Sequence, residues 1–92
     1  MKTIKIECNK ITSIDSLYDE LKIVLGLSEF FGNNLDALWD SINGEIELPV
    51  KIIWVNFDML KNNLDSKFVE KFMELIDEAK DELGELFDFV YN

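Results

Sequence analysis

Six residues, Val50-Lys51-Ile52-Ile53-Trp54-Val55, follow Pro49 as an almost unbroken apolar run in which only Lys51 carries charge. Their β-branched and aromatic content predicts a strand. The lack of polar alternation predicts one that is covered on both faces or lies centrally in a parallel sheet. A central parallel strand constrains everything around it, because each neighbour must be reached through a crossover long enough to hold helices.

The flanking segments supply those crossovers. Lys2 to Glu7 alternates charged and apolar residues, predicting a first strand with Ile4 and Ile6 on one face. Ser13 is placed to cap a helix whose stripe is Ile14, Leu17, Tyr18, Leu21 and Leu25, with Gly26 as its left-handed terminator. Leu27 to Asn33 reads as a loop. A second helix runs from about Asn34 to Asn43 on the inward stripe Leu35, Leu38, Trp39 and Ile42, with Gly44 as terminator. Beyond the central strand, Asn56 to about Asn62 reads as a short helical turn. Asp65 or Ser66 caps a last helix with stripe Phe68, Phe72, Leu75, Ile76 and Ala79, kept to about Glu82 and followed by Gly84. Leu86 to Tyr91 closes the chain as a third strand. The order β-α-α-β-α-α-β predicts one α/β domain over residues 1–92, in which a three-stranded parallel sheet and about four helices form two layers. A chain of this length buries enough surface to fold without metal or disulfide support.

Charge narrows the function. Nineteen acidic residues against 9 basic ones give a net charge of −10, every cation is a lysine, and there is no histidine. Nucleic acid is disfavoured as a partner, since phosphates would be repelled and no basic, aromatic-lined groove is offered. A basic protein fits better. The single cysteine, Cys8, cannot form an internal disulfide, and it reads as a small apolar residue at the end of the first strand. No cleavable leader opens the chain and no apolar run is long enough for a bilayer, so the expected address is the cytoplasm. Without histidine, the usual nucleophilic triads and zinc sites cannot be assembled, and the scattered single glycines make no phosphate-cradling loop. No cofactor or metal is expected. Paired carboxylates are the remaining catalytic device, but Asp36 and Asp40, four apart on one helix, point the same way and cannot face each other across a substrate. An enzyme is not expected.

The segment Phe30-Phe31-Gly32-Asn33-Asn34-Leu35-Asp36-Ala37-Leu38-Trp39-Asp40 carries the functional signal. Like charges one helical turn apart cost about 0.2–0.5 kcal/mol. Only Asp36, in the first turn after the Asn34 cap, is repaid by the helix dipole. Such a pair suits a cationic partner, although charge pattern alone favours a solvated helix face. Trp39 falls on the apolar stripe and reads first as core. Phe30 and Phe31 are adjacent in a loop and cannot easily both be buried, so one is expected at the surface as a contact residue. Glu78, off the apolar stripe of the last helix, is by itself an ordinary surface acid.

The string Glu29 to Asp40 resembles the signature of the barstar-like family, intracellular inhibitors of barnase-type ribonucleases. Ser13-Ile14 with Leu17, Leu25-Gly26-Leu27, Asn43-Gly44, Leu48-Pro49, Trp54 and Glu78-Ala79-Lys80 fall in the same register, so the resemblance spans essentially the whole chain. It implies a small α/β domain whose second helix and preceding loop plug a ribonuclease active site. Asp40 matches the family's principal anion, which enters the phosphate site. Asp36 matches a neighbouring acid, and Glu78 matches a third from the last helix. Phe30 matches a tyrosine that packs on the enzyme's histidine. Gly32 and Asn34 match loop contacts, Leu35 and Trp39 match apolar interface positions, and Phe31, Gly44 and Glu45 complete the expected contact set.

Three departures stand out. Phe30 and Phe31 lack the hydroxyls of the family's tyrosine pair. Glu45 stands where the best-known member has an interface tryptophan, and Ser41 replaces a buried cysteine. The implied partner is a basic extracellular ribonuclease, barnase-like or otherwise guanyl-preferring, or the ribonuclease domain of a toxin, bound one-to-one by a monomer. An acidic module docking on a basic protein unrelated to nucleases is the alternative.

Overall fold

The computed structural model describes residues 1–92. Strands β1 (Lys2–Glu7), β2 (Val50–Val55) and β3 (Phe87–Tyr91) form one sheet in that order, and both pairings are parallel. Helices α1 (Ile14–Leu25) and α2 (Leu35–Gly44) occupy the first crossover, α3 (Phe57–Asn63) and α4 (Ser66–Leu83) the second. β2 is central, as its apolar run predicts, but it is covered on one face only. The rows Ile4–Ile52–Phe89 and Ile6–Trp54–Tyr91 lie on the inner face, where Ile4, Ile6, Ile52 and Trp54 are buried. The opposite rows, Thr3–Lys51–Asp88 and Lys5–Ile53–Val90, are exposed or half-buried. Both crossovers pack on the same side, leaving Ile53 and Val55 shielded by neighbouring strands rather than by a second helical layer.

Twenty-three buried apolar residues make one continuous core between sheet and helices. Trp54 lies at its centre, edge-to-face with Phe72 at 5.5 Å and with Phe57 at 6.0 Å between ring centroids, geometries that suit the ring quadrupoles. The α1 and α4 stripes turn inward as their spacing predicts, though Ile14 and Phe68, at the start of each, are only half-buried.

Local chemistry sets most element ends. Ser13 and Ser16 form a reciprocal capping box at the start of α1, Gly26 ends that helix at φ +65°, and the Asp65 carboxylate accepts the Phe68 N–H at 3.1 Å. Three ends differ from the sequence reading. α2 continues through Gly44, and its termination comes from Ser41, whose carbonyl accepts the N–H groups of both Glu45 and Ile46. Leu86 belongs to a one-turn 3-10 helix (Gly84–Leu86) and is exposed, so β3 starts one residue later. Cys8 opens a 3-10 turn (Cys8–Lys10) rather than ending β1, yet it is fully buried.

Burial, reinforced by Glu7, pushes the Cys8 thiol up from 9.0 to about 11. Burial, reinforced by Asp77, pushes the Tyr91 phenol up to about 12. Burial raises the Tyr18 phenol as well. The folded chain thus holds three protons that the unfolded chain releases earlier, and their stabilisation, complete below pH 9, is lost as pH rises through the folded values. Denaturation midpoints are expected to fall steadily between pH 9 and about 12. Cys8→Ala should flatten that slope, whatever its effect on the midpoint at neutral pH, and native Cys8 should react with a thiol reagent at pH 8 far more slowly than the denatured chain.

Candidate partner-binding site

Asn34 joins the loop to α2. Its Oδ1 accepts the Ala37 N–H at 2.8 Å as an N-cap, while its Nδ2 donates to the Gly32 carbonyl at 3.1 Å. One side chain thereby satisfies a helix-end donor and fixes the last bend before the helix. Asn33 takes the turn at φ +50°, a conformation asparagine tolerates. At Gly32 a Cβ would lie 3.2 Å from Asn34 Nδ2 and 3.4 Å from the Ala37 Cβ, so a side chain there would press the Asn34 amide aside by a few tenths of an ångström. Gly44 has no such constraint, since a Cβ would meet nothing within 4 Å.

Earlier in the loop, Ser28 organises a tight turn. Its Oγ accepts the Phe30 N–H at 3.1 Å and its carbonyl accepts the Phe31 N–H at 3.0 Å. The two phenylalanines then diverge. Phe31 packs edge-to-face on Tyr18 at 5.8 Å, and Tyr18 meets Phe68 of α4 at 6.1 Å, so this ring anchors the loop to the core. Phe30 is 88% exposed. Leaving a phenylalanine in water forgoes about 1.5–3 kcal/mol of burial, which the fold itself does not recover.

α2 packs beside α4, and an open groove lies between them. Leu35, Trp39 and Leu75 line it together with Asp36, Lys71 and Glu78 in a recess of about 290 Å³. It continues past Trp39 into a recess of about 420 Å³ lined by Glu78, Asp81 and Glu82. Trp39 is half-buried, at the edge of the apolar stripe, so its ring faces both core and groove. Asp40 is exposed one turn beyond Asp36 and lines neither recess. The structure thus brings Asp36, Trp39 and Glu78 together from two helices, with Phe30 on the preceding loop. Asp81 and Glu82, absent from the sequence reading, sit three and four residues after Glu78; that helical spacing was the available signal.

The electrostatics of this face are one-sided. The one ion pair within 4 Å in the molecule is Lys80–Asp88 at 3.5 Å, so Asp36, Asp40, Glu78, Asp81 and Glu82 have no lysine partner. The acids are splayed rather than convergent, with no cluster of three or more in a geometry that could hold a metal ion. Glu45 is different: its two oxygens accept from the Ser28 N–H at 2.7 Å and the Ser41 hydroxyl at 3.1 Å. No helix is long and apolar enough to cross a membrane.

Comparison with known proteins shows the family. The family model described as "Barstar (barnase inhibitor)" matches residues 1–91. "Putative ribonuclease inhibitor YrdF" of Bacillus subtilis (strain 168) is 34% identical over 90 residues, covering 98% of each chain.

The two roles of Asn34 are separable. Asn34→Asp keeps the cap acceptor, adds charge at the helix N-terminus and loses only the Gly32 bond. Asn34→Ala loses both and should cost about 1 kcal/mol, read as a fall of roughly 4–8 °C in the thermal midpoint. A variant pair with equal midpoints would show that the cap contributes nothing.

Proposed function

The chain belongs to the barstar family, and from that premise we propose that it is a non-catalytic inhibitor that blocks the active site of a basic ribonuclease, secreted or part of a toxin. One observation carries this reading: Asp36 and Glu78 present unpaired carboxylates around the half-buried Trp39, with Asp40 exposed one turn beyond Asp36 and Phe30 exposed on the preceding loop. Carboxylates on a rigid helix can occupy the positions of RNA phosphates in a cationic site, where each accepts charge-assisted hydrogen bonds from arginine or lysine. Asp40, exposed one turn beyond Asp36, matches the family's principal anion and is the carboxylate proposed to enter the phosphate site. Asp36, Glu78 and the further acids of α4 form a second locus beside Trp39, suited to a guanidinium that stacks on the indole while pairing with a carboxylate.

Phe30 and Leu35 contribute apolar contact and displace water, so the ion pairs operate at a lower effective dielectric. With no hydroxyl, Phe30 offers a stacking face and an apolar edge but no hydrogen bond. Neither chemistry nor turnover is involved; the inhibitor works by occupying space and charge. The net charge of −10 speeds encounter with a cationic enzyme, which suits a one-to-one inhibitor that acts in the cytoplasm before RNA is cut.

Titration against a panel of basic bacterial ribonucleases, with residual RNA cleavage as the readout, tests the class. Stoichiometric inhibition of at least one enzyme is expected. Asp40→Ala should weaken that complex by about 2–5 kcal/mol, roughly 30- to 5,000-fold. Glu70→Ala, on the side of α4 that faces α3, should change it by less than about 1 kcal/mol. Equal, small losses for the two variants would favour a charge-only docking module, and association should slow as salt rises.

A further inference from the structure

Two of the chain's departures from its family resemblance, Ser41 and Glu45, are bonded to each other. Ser41 is the one buried polar side chain of the molecule, at 6% exposure, and its hydroxyl donates to Glu45 Oε2 at 3.1 Å. A buried hydroxyl needs a partner, and Glu45 supplies it from the C-cap position of α2. The other oxygen, Oε1, reaches back 17 residues to accept the Ser28 N–H at 2.7 Å, a short bond typical of an ionised acceptor. Ser28 in turn accepts from the N–H groups of Phe30 and Phe31. The links Ser41–Glu45–Ser28 therefore run from the buried side of α2 to the turn that holds Phe30 out.

We infer that Glu45 is a positioning residue that preorganises the Ser28–Gly32 turn for binding, rather than an anion that contacts the partner. This rests on the inhibitor reading above. Phe31 and Asn34 pin the loop at its far side, through Tyr18 and Gly32, and Glu45 pins its start. Both carboxylate oxygens are already engaged, so using Glu45 as a contact would mean breaking bonds that hold the loop. With the turn's backbone fixed before encounter, only the exposed Phe30 ring remains to be ordered during binding, and the entropy of ordering the backbone is not lost from affinity.

The test uses the full chain in two measurements. In the free protein, amide exchange of Ser28, Phe30 and Phe31 is compared for wild type, Glu45→Ala, Glu45→Gln and Ser41→Ala, with Leu38 and Ile52 as core references. Glu45→Ala should speed Ser28 exchange about tenfold or more and leave the core amides unchanged. Glu45→Gln, whose amide oxygen still accepts and whose NH2 can donate to Ser41 Oγ, should restore most of the protection. Dissociation rates from an inhibited ribonuclease should follow the same order, with Glu45→Gln close to wild type although its charge is gone. Loss of affinity in Glu45→Gln as large as in Glu45→Ala, with the turn still protected, would overturn the inference in favour of direct contact. Unchanged Ser28 exchange in Glu45→Ala would overturn it as well. Failure of wild type to bind any ribonuclease would instead refute the inhibitor reading, with the exchange data still deciding whether Glu45 holds the turn.

Discussion

Because β2 is hydrogen-bonded in parallel on both sides, each neighbouring strand must be reached by a crossover, and each crossover carries its helices over the face that Val50, Ile52 and Trp54 bury. This constraint brings α2, from the first crossover, beside α4, from the second. The α2–α4 groove exists for that reason alone, since the two helices are remote in sequence and share no turn or loop. Trp39 is half-buried because it lies where the α2 stripe meets α4. Asp36 and Glu78 stand on either side of it because each occupies the flank of its own helix that faces the groove.

The acids of this face are left without lysines although nine lysines are present, and Lys71 alone among them lines the Trp39 recesses. Unpaired surface carboxylates remain hydrated, so they cost the fold little beyond mutual repulsion, and they are free of internal partners when a cationic surface approaches. Pairing them internally would gain at most a fraction of a kcal/mol per pair and would have to be undone on binding. The local penalty of the Asp36–Asp40 repeat, offset in part by the helix dipole at Asp36, is small against the core that holds α2 in place.

The loop before α2 meets the opposite problem, since it must expose an aromatic ring without letting it collapse inward. Sequence adjacency solves part of this. Phe31 takes the inward direction against Tyr18, and the neighbouring Phe30 is directed outward. Gly32 admits the close approach of Asn34, and Asn34 closes the bend onto the helix. The remaining anchor, Glu45 on Ser28, comes from the far end of α2.

Much of this was readable from residue order. Alternation marked β1, an unbroken apolar run marked β2 and helical spacing marked α1, α2 and α4, while local chemistry at Ser13, Gly26 and Asn34 set helix ends as read and Asp65 proved to be the cap of the two residues offered, because caps act within one turn. The family signature also named Asp36, Asp40, Trp39, Phe30 and Glu78 as a set. What residue order left open were relations between distant segments. The apolar run of β2 read alone left one covered face or two open, and the right-handed crossover rule rather than the run itself gave the two layers observed. Gly44 was read as a terminator, although the helix instead ends on Ser41 and Glu45. Asp81 and Glu82 joined the groove only once α4 lay beside α2, and Glu45 became a strut only once the loop folded back to it. Hydrophobic spacing and capping are short-range and so belong to the sequence; which surfaces face each other is fixed by packing, and only the tertiary structure decides it.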